Sequence, residues 1–286
     1  MLVGMAAASP TVRHRRLGRE LRRLREIANL TLEEVSTPLR WSTAKLSRIE
    51  NARTMPSSTD IADLCDLYAV DPSAKAGLIQ LGQDAGQRGW WTAYSDVFAG
   101  AYVGLESEAT AIHTWEPLLV PGLLQNEDYA CELIRTSRPE LVPTELKRYV
   151  AARMARKISL LSSKAPSLHV LMDECALRRP VGSPAIMARQ LGDILHITDW
   201  PNITVQILPL RIGAHCGLEG AFSLLAFDTE DPEVGYTGCP GGDVYVEATD
   251  QVKNLKLTFE RLAGVCLSPE KSAAFIAAVR SDHAPL

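Results

Sequence analysis

Leu17, Leu21, Leu24 and Ala28 recur at helical spacing with arginines on the remaining faces, which predicts a first helix beginning after Ser9-Pro10-Thr11 and ending near Asn29. Thr31-Leu32-Glu33-Glu34 has the form of a capping box, in which the threonine hydroxyl accepts from the Glu34 amide and the Glu34 carboxylate returns to Thr31. Leu32, Val35 and Leu39 supply the apolar stripe of a short second helix. Pro38 removes a donor in its last turn, so that helix is expected to stop or bend there. A tight connection through Arg40 and Trp41 leads to Ser42, a good N-cap, and to a third helix from Thr43 to about Glu50 that buries Leu46 and Ile49. Asn51 is expected to take a left-handed cap, since Ala52 stands where a glycine often ends such a helix. A fourth helix turns Ile61, Leu64, Cys65 and Tyr68 inward, and Asp71-Pro72 provides a cap and first-turn proline for a fifth.

Five short helices with a compact turn between the second and third make a helix-turn-helix arrangement. Its chemistry lies in the third helix. An α-helix fits the major groove, and its first turn meets the base edges. That turn is Ser42, Thr43, Ala44 and Lys45, and no internal role for Thr43 or Lys45 is visible in the pattern. Lys45 can donate to guanine, Thr43 can bond either way, and the Ala44 methyl can meet a thymine methyl. Arg48, Arg40 and Arg53 are placed to reach phosphates, contacts that fix position without reading sequence. Thr31 at the second helix's start joins this candidate DNA-binding set. The bland alternative is a helical domain that uses the same arrangement for protein contacts.

Beyond residue 82 the pattern changes. Gly86, Gly89 and Gly100 interrupt a stretch holding Trp90, Trp91, Tyr94, Phe98 and Tyr102. A helix is expected from Glu106 to Trp115, another ending near Thr136, and a long one from Pro143 to about Ser162. Strands are expected at 167–172, 203–208, 221–227, 233–236 and 244–246, with helices at 184–199 and from about Gln251 and Pro269. This is an α+β domain with a small sheet, so the fold class is an all-α N-terminal domain followed by an α+β domain. The expected boundaries are a disordered tail at 1–10, a helix-turn-helix domain at 11–82, a linker at 83–90 and a sensing or interaction domain at 91–286.

Composition narrows the class. With 286 residues, 46% hydrophobic and 22% charged, the chain is globular rather than disordered, and two domains are the natural expectation. No run approaches the roughly 20 apolar residues of a membrane span, and the first ten residues lack a basic start and apolar run, so a cytoplasmic location is expected. The net charge of −4 hides an asymmetry: 10–55 carry eleven Lys/Arg against five acids, leaving the rest strongly acidic. A basic module on an acidic body suits a polyanion binder.

Against that picture the segment TLEEVSTPLRWSTAKLSRIENART (31–54) resembles the Xre-type, lambda-repressor-like helix-turn-helix, most closely at Leu46-Ser47-Arg48-Ile49-Glu50. Downstream, VGLESEATAIHTWEPLLVPGLLQNEDYA, DECALRRPVGSP, ITVQILPL and GAHCGLEGAFSLLAF resemble the C-terminal domain of an actinobacterial regulator family that includes WhiJ-like and antitoxin-like members. The resemblance implies a transcriptional regulator, often with a small protein partner encoded nearby, and no established reaction or agreed ligand; a homodimer on an operator of two half-sites is expected.

The remaining chemistry is sparse. Six scattered cysteines contain no C-x-x-C pair, and they read as inert buried thiols; a zinc site would have to use His215, Cys216 and Cys239, and neither metal nor cofactor is expected. His215-Cys216 lacks an orienting third group for nucleophilic catalysis. The turn Gly238–Gly242 reads as a hairpin rather than a phosphate cradle. Trp90, Trp91, Tyr94 and Trp115 line either a pocket or the core, with core the commoner use. Arg178-Arg179 after Asp173-Glu174 could hold an anion, or be partnerless surface charge. Lys147, Arg148, Arg153, Arg156 and Lys157 fall all round the long helix, with charges expected in water. For the C-terminal domain, a protein-interaction module, a small-molecule sensor with an aromatic pocket and, last, an enzyme stay open.

Overall fold

The computed structural model describes residues 12–86, 90–94, 96–98, 102–162, 165–228, 231–239 and 242–283. The tail reading at 1–10 lies outside them, as does part of the linker stretch. The chain forms two compact units, 1–105 and 106–286.

The first unit carries α1 (Val12–Ile27), α2 (Leu32–Leu39), α3 (Thr43–Glu50), α4 (Ser58–Leu67) and α5 (Pro72–Gly86). Helix α5 runs through 83–86, the first half of the stretch read as a linker. The core is the stripe the spacing predicts: Leu17, Leu21, Val35, Leu46, Ile49, Ile61, Leu64 and Cys65 are all at most 1% exposed. Side chains cap the helices as the sequence indicates. The Thr31 hydroxyl accepts from the Glu34 amide at 3.2 Å while the Glu34 carboxylate accepts from the Thr31 amide at 2.8 Å. Ser57 and Asp60 repeat the box at α4. Helix α2 stops at Leu39, one residue past Pro38.

Four helices of this unit end without glycine. Asn29, Arg40, Ala52 and Ala69 follow α1 to α4 with φ of 51–55°. At α3 the expectation is reversed: Asn51 keeps φ −94° and Ala52 takes the left-handed conformation. Asn51 instead turns its side-chain amide onto the Ser47 carbonyl at 2.8 Å, which holds it in place and moves the reversal on by one residue.

Helix α6 (Tyr102–Glu108), which runs across the 105/106 division in the sequence, leads into β1 (Ala111–Glu116) of the second unit. Here the helix expected over 106–115 gives way to a strand. Ile112, Thr114 and Trp115 fit a pleated surface, and the position between two neighbouring strands supplies ladders on both edges. The six-stranded mixed sheet has the order β3-β2-β1-β4-β5-β6, from β2 (Ser167–Asp173), β3 (Ile203–Leu208), β4 (Phe222–Ala226), β5 (Val234–Cys239) and β6 (Gly242–Val246). Strands β1, β2 and β3 are parallel, and the remaining pairings are antiparallel. Parallel neighbours need crossovers. These are α7 (Glu127–Ser137) with α8 (Pro143–Arg156) between β1 and β2, and α9 (Glu174–Arg178) with α10 (Pro184–Ile197) between β2 and β3. Helix α8 ends at Arg156 and tightens into a 3-10 turn at Lys157–Leu161, short of the helix expected to Ser162. One sheet face packs Trp115, Leu171, Leu208 and Phe222 against Phe259 and Leu262 of α11 (Thr249–Val265), and α12 (Pro269–Asp282) closes the chain. Among the described residues no single helix is long and apolar enough to cross a membrane.

Candidate nucleic-acid interface

Helix α3 is amphipathic over only eight residues, and its two faces divide sharply. Leu46 and Ile49 are fully buried and Glu50 nearly so, whereas Ser42, Thr43, Ala44 and Arg48 are exposed. Ser42 starts the helix by accepting from the Lys45 amide at 3.1 Å. Thr31, Arg40 and Arg53 are also exposed, at the ends of the flanking elements. The left-handed turn at Arg40 lets the Arg40 and Trp41 amides close on carbonyls of α2, which sets the sharp path into α3.

Lys45 departs from the sequence reading, which gave it no role inside the fold. Its ammonium lies 2.7 Å from an Asp60 carboxylate oxygen and 3.7 Å from the centre of the Trp41 ring, half-buried between them. Burial would raise the Asp60 carboxyl, but Lys45 and the Ser57 groups outweigh it and hold Asp60 below the usual carboxylate range. Lys45 is thus tied to the start of α4 in the free chain.

Two further residues position α3 and escaped the sequence reading. Glu50, read there as the end of the third helix and of the Xre-like match but given no partner, is 4% exposed at its side chain and takes two hydrogen bonds from Arg25, at 2.6 and 3.0 Å. Arg25 also donates to the Leu30 carbonyl at 2.8 Å, so this cation is a strut of the fold rather than part of the outward positive field. Gly18 is the second: a Cβ there would sit 2.8 Å from the Ile49 carbonyl oxygen and 2.9 Å from that of Glu50. Only glycine lets α1 pass this close to α3.

Elsewhere the predicted candidates separate. Trp115 is a core residue, wholly buried, with its indole N–H donating to the Gly217 carbonyl at 2.8 Å. Trp91 and Tyr94 are half-buried, and the Trp90 side chain lies outside the described residues. Arg178 is not partnerless: it pairs with Glu174 at 2.6 Å and Asp282 at 3.3 Å. Arg153, Arg156 and Lys157 of the long helix do not simply point their charges into water. They reach the Gln125 side chain (2.9 Å), Glu106 (2.6 Å) and the Gln125 carbonyl (2.9 Å). His215 stands 3.6 Å from Asp173, both buried, while Cys216 is exposed and turned to the Thr258 carbonyl. The thiols that shift all shift upward: burial raises Cys65 and Cys175 and pushes Cys266 to about 12, so these sulfurs stay protonated at neutral pH. No cluster of metal-ligating side chains occurs among the described residues. An open cavity of about 440 Å³ beside α7 and α10 is lined by two pairs, Asp128 with Arg189 at 2.8 Å and Asn126 with Asp193 at 2.7 Å, and by Glu127 and Arg280.

A capped helix with a buried face, an open first turn and a preceding helix held at a tight reversal defines a helix-turn-helix unit, and residues 16–78 match the family described as "Helix-turn-helix domain". Residues 99–278 match "Domain of unknown function (DUF5753)"; this is well over half of the chain, which belongs to that family. No curated protein and no solved structure matches the chain.

Proposed function

We propose that this protein is a sequence-specific DNA-binding transcriptional regulator of the Xre type, acting in the cytoplasm as a homodimer on two half-sites about one helical turn apart. The observation that carries the reading is the first turn of α3: Ser42, Thr43 and Ala44 stand exposed on a helix whose opposite face is locked into the core. Thr43, Ala44 and Lys45 read base edges, and Ser42, Thr31, Arg40, Arg48 and Arg53 hold the backbone. Lys45 must leave Asp60 to reach a base, so recognition exchanges one ion pair for another. The C-terminal domain, similar to those of WhiJ-like and antitoxin-like regulators, binds a small protein partner or an effector that changes DNA occupancy. The aromatic-pocket version of the effector reading is weakened by the burial of Trp115 in the core. An enzyme reading ranks last: His215 stands 3.6 Å from Asp173, but the neighbouring Cys216 thiol is directed to the Thr258 carbonyl.

A shift assay with duplexes from the native genome at low ionic strength tests this. Thr43→Ala and Lys45→Ala are expected to alter sequence preference, and Arg48→Ala to weaken all duplexes alike. Equal affinity of the three variants and the parent for every duplex would remove α3 from the interface.

A further inference from the structure

Glu116 is the last residue of β1, at the carboxyl end of the three parallel strands. In α/β sheets that edge is where crossover loops leave a crevice for ligands. Glu116 is half-buried, lies within electrostatic reach of Arg153 and Arg156, and has no hydrogen-bond partner among the described residues. Arg156 is already closed by its two bonds to Glu106. Arg153 is not: one guanidinium nitrogen donates to Gln125, and its other donors have no partner among the described residues. Gln125, itself nearly fully buried, is pinned by donating to the Val120 carbonyl at 2.7 Å, and Lys157 donates to its backbone carbonyl. The loop after β1 is thereby fixed, and Arg153 keeps unused donors within electrostatic reach of an unused carboxyl.

Two more groups converge on the same edge. Tyr129 of α7 is fully buried; its hydroxyl accepts from the Val120 amide at 3.3 Å, and its own proton has no acceptor among the described residues. It lies in the fields of both Glu116 and Arg179. Arg179, on the loop that follows β2 and α9, is exposed and has no side-chain partner among the described residues. Burial pushes Glu116 up to about 7 and Arg153 down to about 10, although both keep some solvent contact. Of the cations here, Arg156 is neutralised by Glu106 and Lys157 is bonded to the Gln125 carbonyl, which leaves Arg153 and Arg179 with donors to spare.

We propose that this edge of the C-terminal domain is a binding site for a small organic anion, a carboxylate or a phosphate monoester, gripped by Arg153 and Arg179, with Glu116 as its further polar contact. The site deepens the effector reading of the C-terminal domain and rests on it only for the effect on DNA. Titration calorimetry of the full-length chain without DNA, at constant ionic strength, tests the site with succinate, citrate and glycerol 3-phosphate. At least one is expected to bind saturably with Kd of about 1 mM or tighter. Arg153→Gln and Arg179→Ala are each expected to weaken it about tenfold. Arg179 is exposed, so its variant keeps the fold even if Arg153→Gln does not. Failure of all three anions to bind, or unchanged binding by Arg179→Ala and a folded Arg153→Gln, overturns the proposal. Anion binding by a chain that ignores duplexes supports the site and overturns the DNA reading instead.

Discussion

At the scale of single residues, the largest consequences come from groups with no counterpart in a hydrophobic pattern. Gly18 sits under the carbonyls of Ile49 and Glu50, and a methyl there meets backbone that cannot swing aside. Gly18→Ala is expected to cost about 1–3 kcal/mol in urea unfolding, the range for overpacking, and to tilt α3. Glu50→Ala leaves the Arg25 guanidinium buried without its partner, and a loss of about 3–5 kcal/mol is expected. Glu116 supplies a pH test. Burial raises its pKa from the ordinary carboxylate value to about 7 against the pull of Arg153 and Arg156. The folded chain therefore favours the protonated acid, a contribution present below the unfolded-state value and lost as pH rises through about 7. Glu116→Gln is expected to flatten the melting-temperature profile between pH 5 and 8, with the gain over the parent on the alkaline side. A parallel pair of profiles would contradict it.

At the scale of elements, the helical bundle was legible because each helix carries its own start signal. Thr31, Ser42 and Asp71 announce α2, α3 and α5 through bonds that span three residues or fewer, and Ser57, which the sequence pattern places in a loop, does the same for α4. The ends were less legible. Ala69 closes α4 with φ 53° and an exposed side chain, so nothing in its packing repays the strained backbone. Ala69→Gly is expected to stabilise the protein by about 0.5–1 kcal/mol, the relief of a left-handed alanine less the entropy of a freer unfolded chain. Strand β1 misled for a different reason. Its burial alternates imperfectly, with Thr114 and Trp115 both buried, and a six-residue run of that kind fits a helix face as well as a pleat. The strand exists because β2 and β4 offer hydrogen bonds on both sides, which is a property of the sheet.

Across the whole molecule, charge is segregated: an overall −4 coexists with an excess of six positive charges in 10–55. DNA affinity is expected to fall steeply with salt despite the acidic total, with a log–log slope near −4 if about four or five cations displace counterions. A slope near zero would separate the basic region from binding. The same count also shows where one-dimensional bookkeeping fails. Arg25 contributes to the excess yet is consumed by Glu50, and Lys45 is held by Asp60 until something competes for it.

What the sequence determined by itself was whatever short-range chemistry dictates: the five helices and the caps that start α2, α3 and α5, the apolar stripe of the bundle, most strands, and the exposed first turn at Ser42–Ala44. Only the tertiary structure decided which charges are struts and which are free, why Gly18 must be glycine, that 111–116 is a strand, and that Glu116, Tyr129, Arg153 and Arg179 share one edge. These depend on contacts between residues dozens of positions apart, and neither periodicity nor local propensity carries information over that separation.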